Sequence, residues 1–80
     1  SLSDRHGYDM HYANQIPTNL TSVNQDIVIW MVDNLNSGWG WYFQEEVHNS
    51  NDCEIILKHV VFTFEEDEEA VLFSLAHRLN

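Results

Sequence analysis

The 80 residues carry thirteen Asp and Glu against three Lys and Arg, a net charge of -10. That balance argues against a nucleic-acid binder and against an anionic membrane surface, because Arg5, Lys58 and Arg78 are too few and too scattered to build a phosphate-binding face. A hydrophobic content of 44% with 12% aromatics argues against disorder and for a single compact domain over 1-80, although a chain this short buries only roughly 60–65% of its unfolded surface and gains from self-association.

Residues 1–7 are polar and expected to fray. Residues 8–16 alternate, with Tyr8, Met10, Tyr12 and Ile16 on one parity, which predicts a strand ended by Pro17. Ser22 and Gln25 fit a capping box, and Val23, Ile27, Trp30, Met31 and Leu35 then recur at helical spacing. A helix is therefore predicted over 22–36, with Gly38 as its exit, against the weaker helix preference of Ile27, Val28 and Ile29.

Residues 39–48 place Trp39, Trp41, Phe43, Glu45 and Val47 on one parity and Gly40, Tyr42, Gln44, Glu46 and His48 on the other, a strand with an apolar face in its first half. Residues 49–52 have turn composition, and 54–64 read as the clearest strand in the chain, so the two form an antiparallel hairpin. Over 67–79, Leu72, Phe73, Leu75, Ala76 and Leu79 form a helical stripe, with acids in the first turn and His77 and Arg78 in the last, as the helix dipole favours.

The order β-α-β-β-α predicts an α+β domain, ferredoxin-like with its final strand missing: an antiparallel sheet with two helices packed on one face. The missing strand leaves the outer edge of the first strand open to another chain. A homodimer or a larger closed ring is expected.

Three groups of residues invite a functional reading. Gly38, Trp39, Gly40 and Trp41 resemble the aromatic signature of RNA-recognition motifs, but Ser37 stands where that family has a basic residue and the signature falls one strand too early. The tryptophans and Phe43 therefore read as core, whereas Gly40 and Tyr42 on the opposite face could border a groove for a partner or ligand. Glu65, Glu66, Asp67, Glu68 and Glu69 read mainly as an acidic helix start, and their excess charge could present a negative surface. His48 and His59 share one face of the hairpin, beside Ile55, Leu57 and Val61, and could contact a partner.

Neither the His6, Asp9, His11 spacing nor the Asp52, Cys53, Glu54 turn matches a zinc pattern, and no calcium loop is present, so no metal and no cofactor are expected. Cys53 with His48 or His59 is the only thiol–imidazole combination, and no phosphate loop or nucleophile elbow accompanies it, which argues against an enzyme. One cysteine fits a reducing compartment, and no stretch approaches eighteen apolar residues, so a cytoplasmic location is expected.

The segment FTFEEDEEAVLFSL, from Phe62 to Leu75, is similar to the closing strand and helix of small uncharacterised proteins of tailed bacteriophages and environmental (metagenomic) sources. The helix bearing Trp30 followed by an aromatic strand is similar to the same group. The resemblance implies a phage or environmental origin, hence a bacterial host cytoplasm, and assigns no catalytic residue because the group has no established activity. Together these readings lead to an acidic protein-interaction module that binds a basic protein surface, as a nucleic-acid mimic or inhibitor, with Gly40, Tyr42, His48, His59, Glu65, Glu66, Glu68 and Glu69 as candidate contacts. The alternative is a small-ligand-binding or regulatory domain using a pocket at a dimer interface.

Overall fold

Alternation of large apolar side chains from Trp39 onward and from Phe64 backward drives the formation of one long hairpin. The computed structural model describes residues 5–78; the expected fraying at 1–4 and the stripe position Leu79 lie outside the described residues. Among the described residues six elements follow in chain order: β1 His6–Tyr8, β2 Asn14–Pro17, α1 Gln25–Asn34, β3 Trp39–Ser50, β4 Cys53–Phe64 and α2 Asp67–His77. β3 and β4 pair along their whole length, from Trp39 opposite Phe64 to Ser50 opposite Cys53. The turn between them is tighter than the sequence suggests. Only Asn51 and Asp52 make it, both with positive φ (48° and 65°), a two-residue turn whose twist suits a hairpin.

The described strands form one four-stranded mixed sheet in the order β1-β3-β4-β2. β2 and β3 flank β4 and both run antiparallel to it, so α1 carries the chain over β4 from one side to the other. Three expectations change here. A single first strand over 8–16 does not form, the described strands number four rather than three, and the sheet is not wholly antiparallel, because β1 adds to β3 in parallel. His6 and Gly7, expected to fray, are held in that added strand. The cause of the break after Tyr8 is local: Asp9 takes a left-handed conformation (φ 64°), which turns the chain out of β1. The Asp9 and Met10 N–H groups then both donate to the Trp41 carbonyl, and the Thr63 hydroxyl donates to the Met10 carbonyl at 2.6 Å. Residues 9–13 thus cross the sheet from the β3 side to the β4 side.

α1 starts three residues later than its predicted start. Asn24, not Ser22, is the N-cap, its side chain accepting from the Asp26 N–H at 2.8 Å. The helix ends at Leu35, which is extended, so Gly38 is not a left-handed exit. Gly38 instead makes room for the Tyr12 ring: a Cβ there would lie 2.3 Å from its hydroxyl and displace the side chain.

Ile27 and Met31 from α1, Leu35 at its C-cap, and Ala70 and Phe73 from α2 pack with Trp39, Val60, Phe62 and Phe64, which share one face of the sheet. Both helices therefore cover the same face, as expected. Phe73 is the hub, with ring centroids 4.8 Å from Phe62 and 5.1 Å from Phe64, and Trp30 meets its edge at 5.9 Å. The buried stripe of α2 is rotated from the predicted one: Ala70 and Phe73 face inward, whereas Leu72, Leu75 and Ala76 are exposed. The helix is apolar over most of its circumference, so two stripes competed. The aromatic Phe73 occupied the position over the sheet.

Candidate functional site

The acidic run at 65–69 divides into two populations. The loop leaving α1 presents three successive backbone N–H groups at Asn36, Ser37 and Gly38, which no helix or strand bond satisfies. Glu69 accepts from the first two, at 2.8 and 3.1 Å, and Glu65 accepts from the third at 2.9 Å and from the Arg5 guanidinium. These two carboxylates are structural clamps that tie the start of α2 to the start of β3. Glu66 is the N-cap residue of α2 without a side-chain cap bond, and with Asp67 and Glu68 it points into solvent. A sequence signal for the clamp existed in Ser37 and Gly38: a short loop rich in unsatisfied donors requires acceptors from elsewhere.

The space expected beside Gly40 is filled by the chain itself. A Cβ at this position would lie 2.3 Å from the Gly7 carbonyl and 2.5 Å from the Met10 Cβ, so Gly40 permits the crossing segment 9–13 to lie against the sheet. Tyr42 is occupied in the same way: the His11 ring stacks on it at 4.2 Å and its hydroxyl donates to the Gln15 side chain at 3.0 Å. His11 is in turn held by Asp9 at 2.8 Å, while His6 donates to the Ser37 carbonyl at 3.2 Å and packs on Trp39. Asp9 and His11 thus pair with each other, while His6 is engaged elsewhere. Among the described residues no three ligands gather to hold a metal ion and no pocket is enclosed.

What remains uncovered is the outer half of the hairpin. β1 reaches only Trp41 on β3, and β2 reaches only Val61 on β4, so beyond Phe43 and Val60 the two strands continue as a ribbon with neither edge paired by a described strand. The ribbon extends the molecule to 47 Å along its long axis, against 25 and 23 Å across. The burial gradient runs along β3: Trp39 is 1% exposed, Phe43 36% and Val47 55%. On β4, Ile55, Ile56 and Leu57 are about half exposed, on alternating faces. Compared with known protein families, with characterised proteins and with solved structures, the chain matches none.

Charge is interleaved with these apolar side chains. On the helix side of the ribbon Lys58 lies 3.6 Å from Glu45, flanking the Val47–Ile56 pair. On the other side the Glu46 carboxylate receives His48 at 3.3 Å and has the His59 Nε2 at 3.8 Å. The structure therefore brings together two of the expected contacts, His48 and His59, around Glu46, which sequence reasoning did not single out. Cross-strand register is what reveals Glu46: it sits between the two histidines on their shared face. Cys53 is exposed at the hairpin tip, opposite Ser50 and remote from His59 along the ladder. No helix among the described residues is long and apolar enough to cross a membrane.

Proposed function

We propose that the chain is a protein-binding module, in which residues from β2 to α2 form a ferredoxin-like β-α-β-β-α unit without its closing strand. Its working surface is the outer half of the β3–β4 hairpin. One observation carries this reading: a two-stranded ribbon that exposes Val47, Ile55, Ile56 and Leu57 has no third strand or helix over it among the described residues. An isolated two-stranded hairpin is marginal in water, and apolar side chains exposed on both faces of such a ribbon offer surface for a partner to bury.

The partner class is a basic protein surface. Glu45, Glu46, Asp52 and Glu54 are exposed along the ribbon with one counter-charge from Lys58, and the solvent-facing Glu66, Asp67 and Glu68 add to the negative field. Such a field accelerates encounter with a cationic partner and depends on salt, while the apolar rungs hold the complex after contact. The acidic surface could occupy a nucleic-acid site on that partner.

The test is calorimetric titration of a lysine- and arginine-rich peptide bearing leucines, at about 50 mM and about 500 mM salt, with the heat of binding as the readout. Binding that weakens steeply with salt, and that is lost in a Glu46→Lys, Glu54→Lys variant, is the expected result. Salt-independent binding, or binding undisturbed in that variant, contradicts the reading.

A further inference from the structure

We infer that the helix-side face of the outer hairpin is a self-association interface, occupied by the same face of a second copy packed in the opposite direction. This deepens the reading of the outer hairpin as a binding surface and rests on it. The two edges of the described sheet are the poorer candidates for pairing: β1 has three residues, and β2 has four and ends in Pro17, which has no N–H to offer a neighbouring strand.

On the helix-side face the rungs, counted outward from the body, are Phe43–Val60, Glu45–Lys58, Val47–Ile56 and Asn49–Glu54. α1 and α2 stand on this same face over the inner half of the sheet. Two copies packed face to face in the same direction would drive their helix layers into each other. Packed antiparallel, about a two-fold axis running across the strands, each tip points instead toward the partner's helix layer. The second ribbon then lies about 10 Å above the first, the ordinary separation of packed sheets, and extends the layer that the helices begin.

The same axis, centred on the Val47–Ile56 rung, sets the charges. Val47 meets the partner's Val47 and Ile56 meets the partner's Ile56. One rung away, Lys58 comes opposite the partner's Glu54, and Glu45 comes opposite the partner's Asn49 rather than another carboxylate. The sole lysine of the chain thus meets an acid twice in the dimer. The apolar pair at the centre is excluded from water by the charged rungs on both sides.

The experiment is sedimentation equilibrium of the full chain over a range of concentrations, at low and high salt. A dimer is expected, tighter at high salt because two chains of net charge -10 repel when unscreened. Salt has the opposite effect on a basic partner, so the two associations are separable. Val47→Asp is expected to weaken the dimer at least about tenfold, whereas Leu57→Glu on the opposite face leaves it intact. Lys58→Glu and Glu54→Lys each weaken it, and an equimolar mixture of the two recovers it, since a carboxylate and an ammonium again face each other at both 58–54 contacts of the mixed dimer. A change confined to folding would not recover on mixing. A chain that stays monomeric at every concentration, a dimer indifferent to Val47→Asp, or a mixture that fails to recover overturns the inference. A monomer that still binds the basic peptide would overturn it while leaving the proposed function standing.

Discussion

The β3–β4 hairpin is one continuous ladder, yet its two halves live in different surroundings. In the inner half, from Trp39 to Phe43 and from Val60 to Phe64, β1 and β2 pair the edges and two helices cover one face while the crossing segment 9–13 lies against the other. In the outer half the same alternation continues with Val47, Ile55, Ile56 and Leu57, and no described element lies over them. The β3–β4 ladder thus runs through both halves alike, while edge pairing and burial belong to the inner half. The inner half is scaffold, and the outer half is surface that the scaffold projects.

The difference between the halves can be broken most sharply by truncating one apolar side chain in each. Phe73→Ala removes the ring against which Phe62, Phe64 and Trp30 pack, and is expected to cost about 3–5 kcal/mol, enough to unfold most of a domain this small. Ile56→Ala in the outer half should change monomer stability by less than about 1 kcal/mol, as exposed positions do. Urea unfolding of both variants at low concentration checks the contrast, and equal losses would erase it.

A smaller but still large effect is expected at Gly40. An alanine there collides with the Gly7 carbonyl and Met10, and should cost about 1–3 kcal/mol by lifting the crossing segment. The diagnostic readout is loss of the His11–Tyr42 stacking in the aromatic NMR spectrum. Next comes Glu69→Ala, which takes the acceptor from the exposed Asn36 and half-buried Ser37 N–H groups and should cost about 0.5–1.5 kcal/mol, whereas Glu68→Ala, in solvent, should be nearly neutral. That pair separates the clamping acids from the displayed ones.

The mildest effect concerns pH. Burial against Phe73 and Trp30 lowers the pKa of His77 below its usual 6.5, and its Nε2 has no hydrogen-bond partner. The unfolded chain therefore takes up this proton first. The stability owed to neutral His77 is present above pH 6.5 and is lost as pH falls below it, toward the folded-state pKa. As pH is lowered through this window the melting temperature of the protein should fall relative to that of His77→Leu, and a constant difference would refute the assignment.

Much of the inner half was legible in the residues. The parity of Trp39 and Trp41, the stripe of Ile27 and Met31 and the acidic start of α2 all rest on local pattern, and the packing respects them, whereas Phe43, expected in the core, is exposed where the covered half ends. The missed features depend on what lies far away in sequence. Tyr8, Met10 and Tyr12 alternate like a strand, but hydrogen bonds from Asp9 and Met10 to Trp41 and from Thr63 to Met10 bend that stretch across the sheet. Leu72 and Leu75 read as core because their helix is apolar nearly all round, and only the position of Phe62 and Phe64 decides for Phe73.

The candidate site was legible only in part for the same reason. A period of two identifies which side chains share a face of β3 and β4, and so placed His48 with His59, but it says nothing of whether another element covers that face. Glu65 and Glu69 became clamps because three N–H groups some thirty residues earlier needed acceptors. Gly40 and Tyr42 lost their open groove to Met10 and His11.

Amide hydrogen exchange along the hairpin, followed as protein concentration rises, tests the central contrast most directly, because local protection reports which segments open independently of the whole. The expected result is uniform protection of 39–43 and 60–64 at every concentration, with protection of 45–49 and 54–58 low in dilute solution and rising as chains associate. Outer-half amides as protected as the inner half in dilute solution, and unchanged on concentration, would contradict the account.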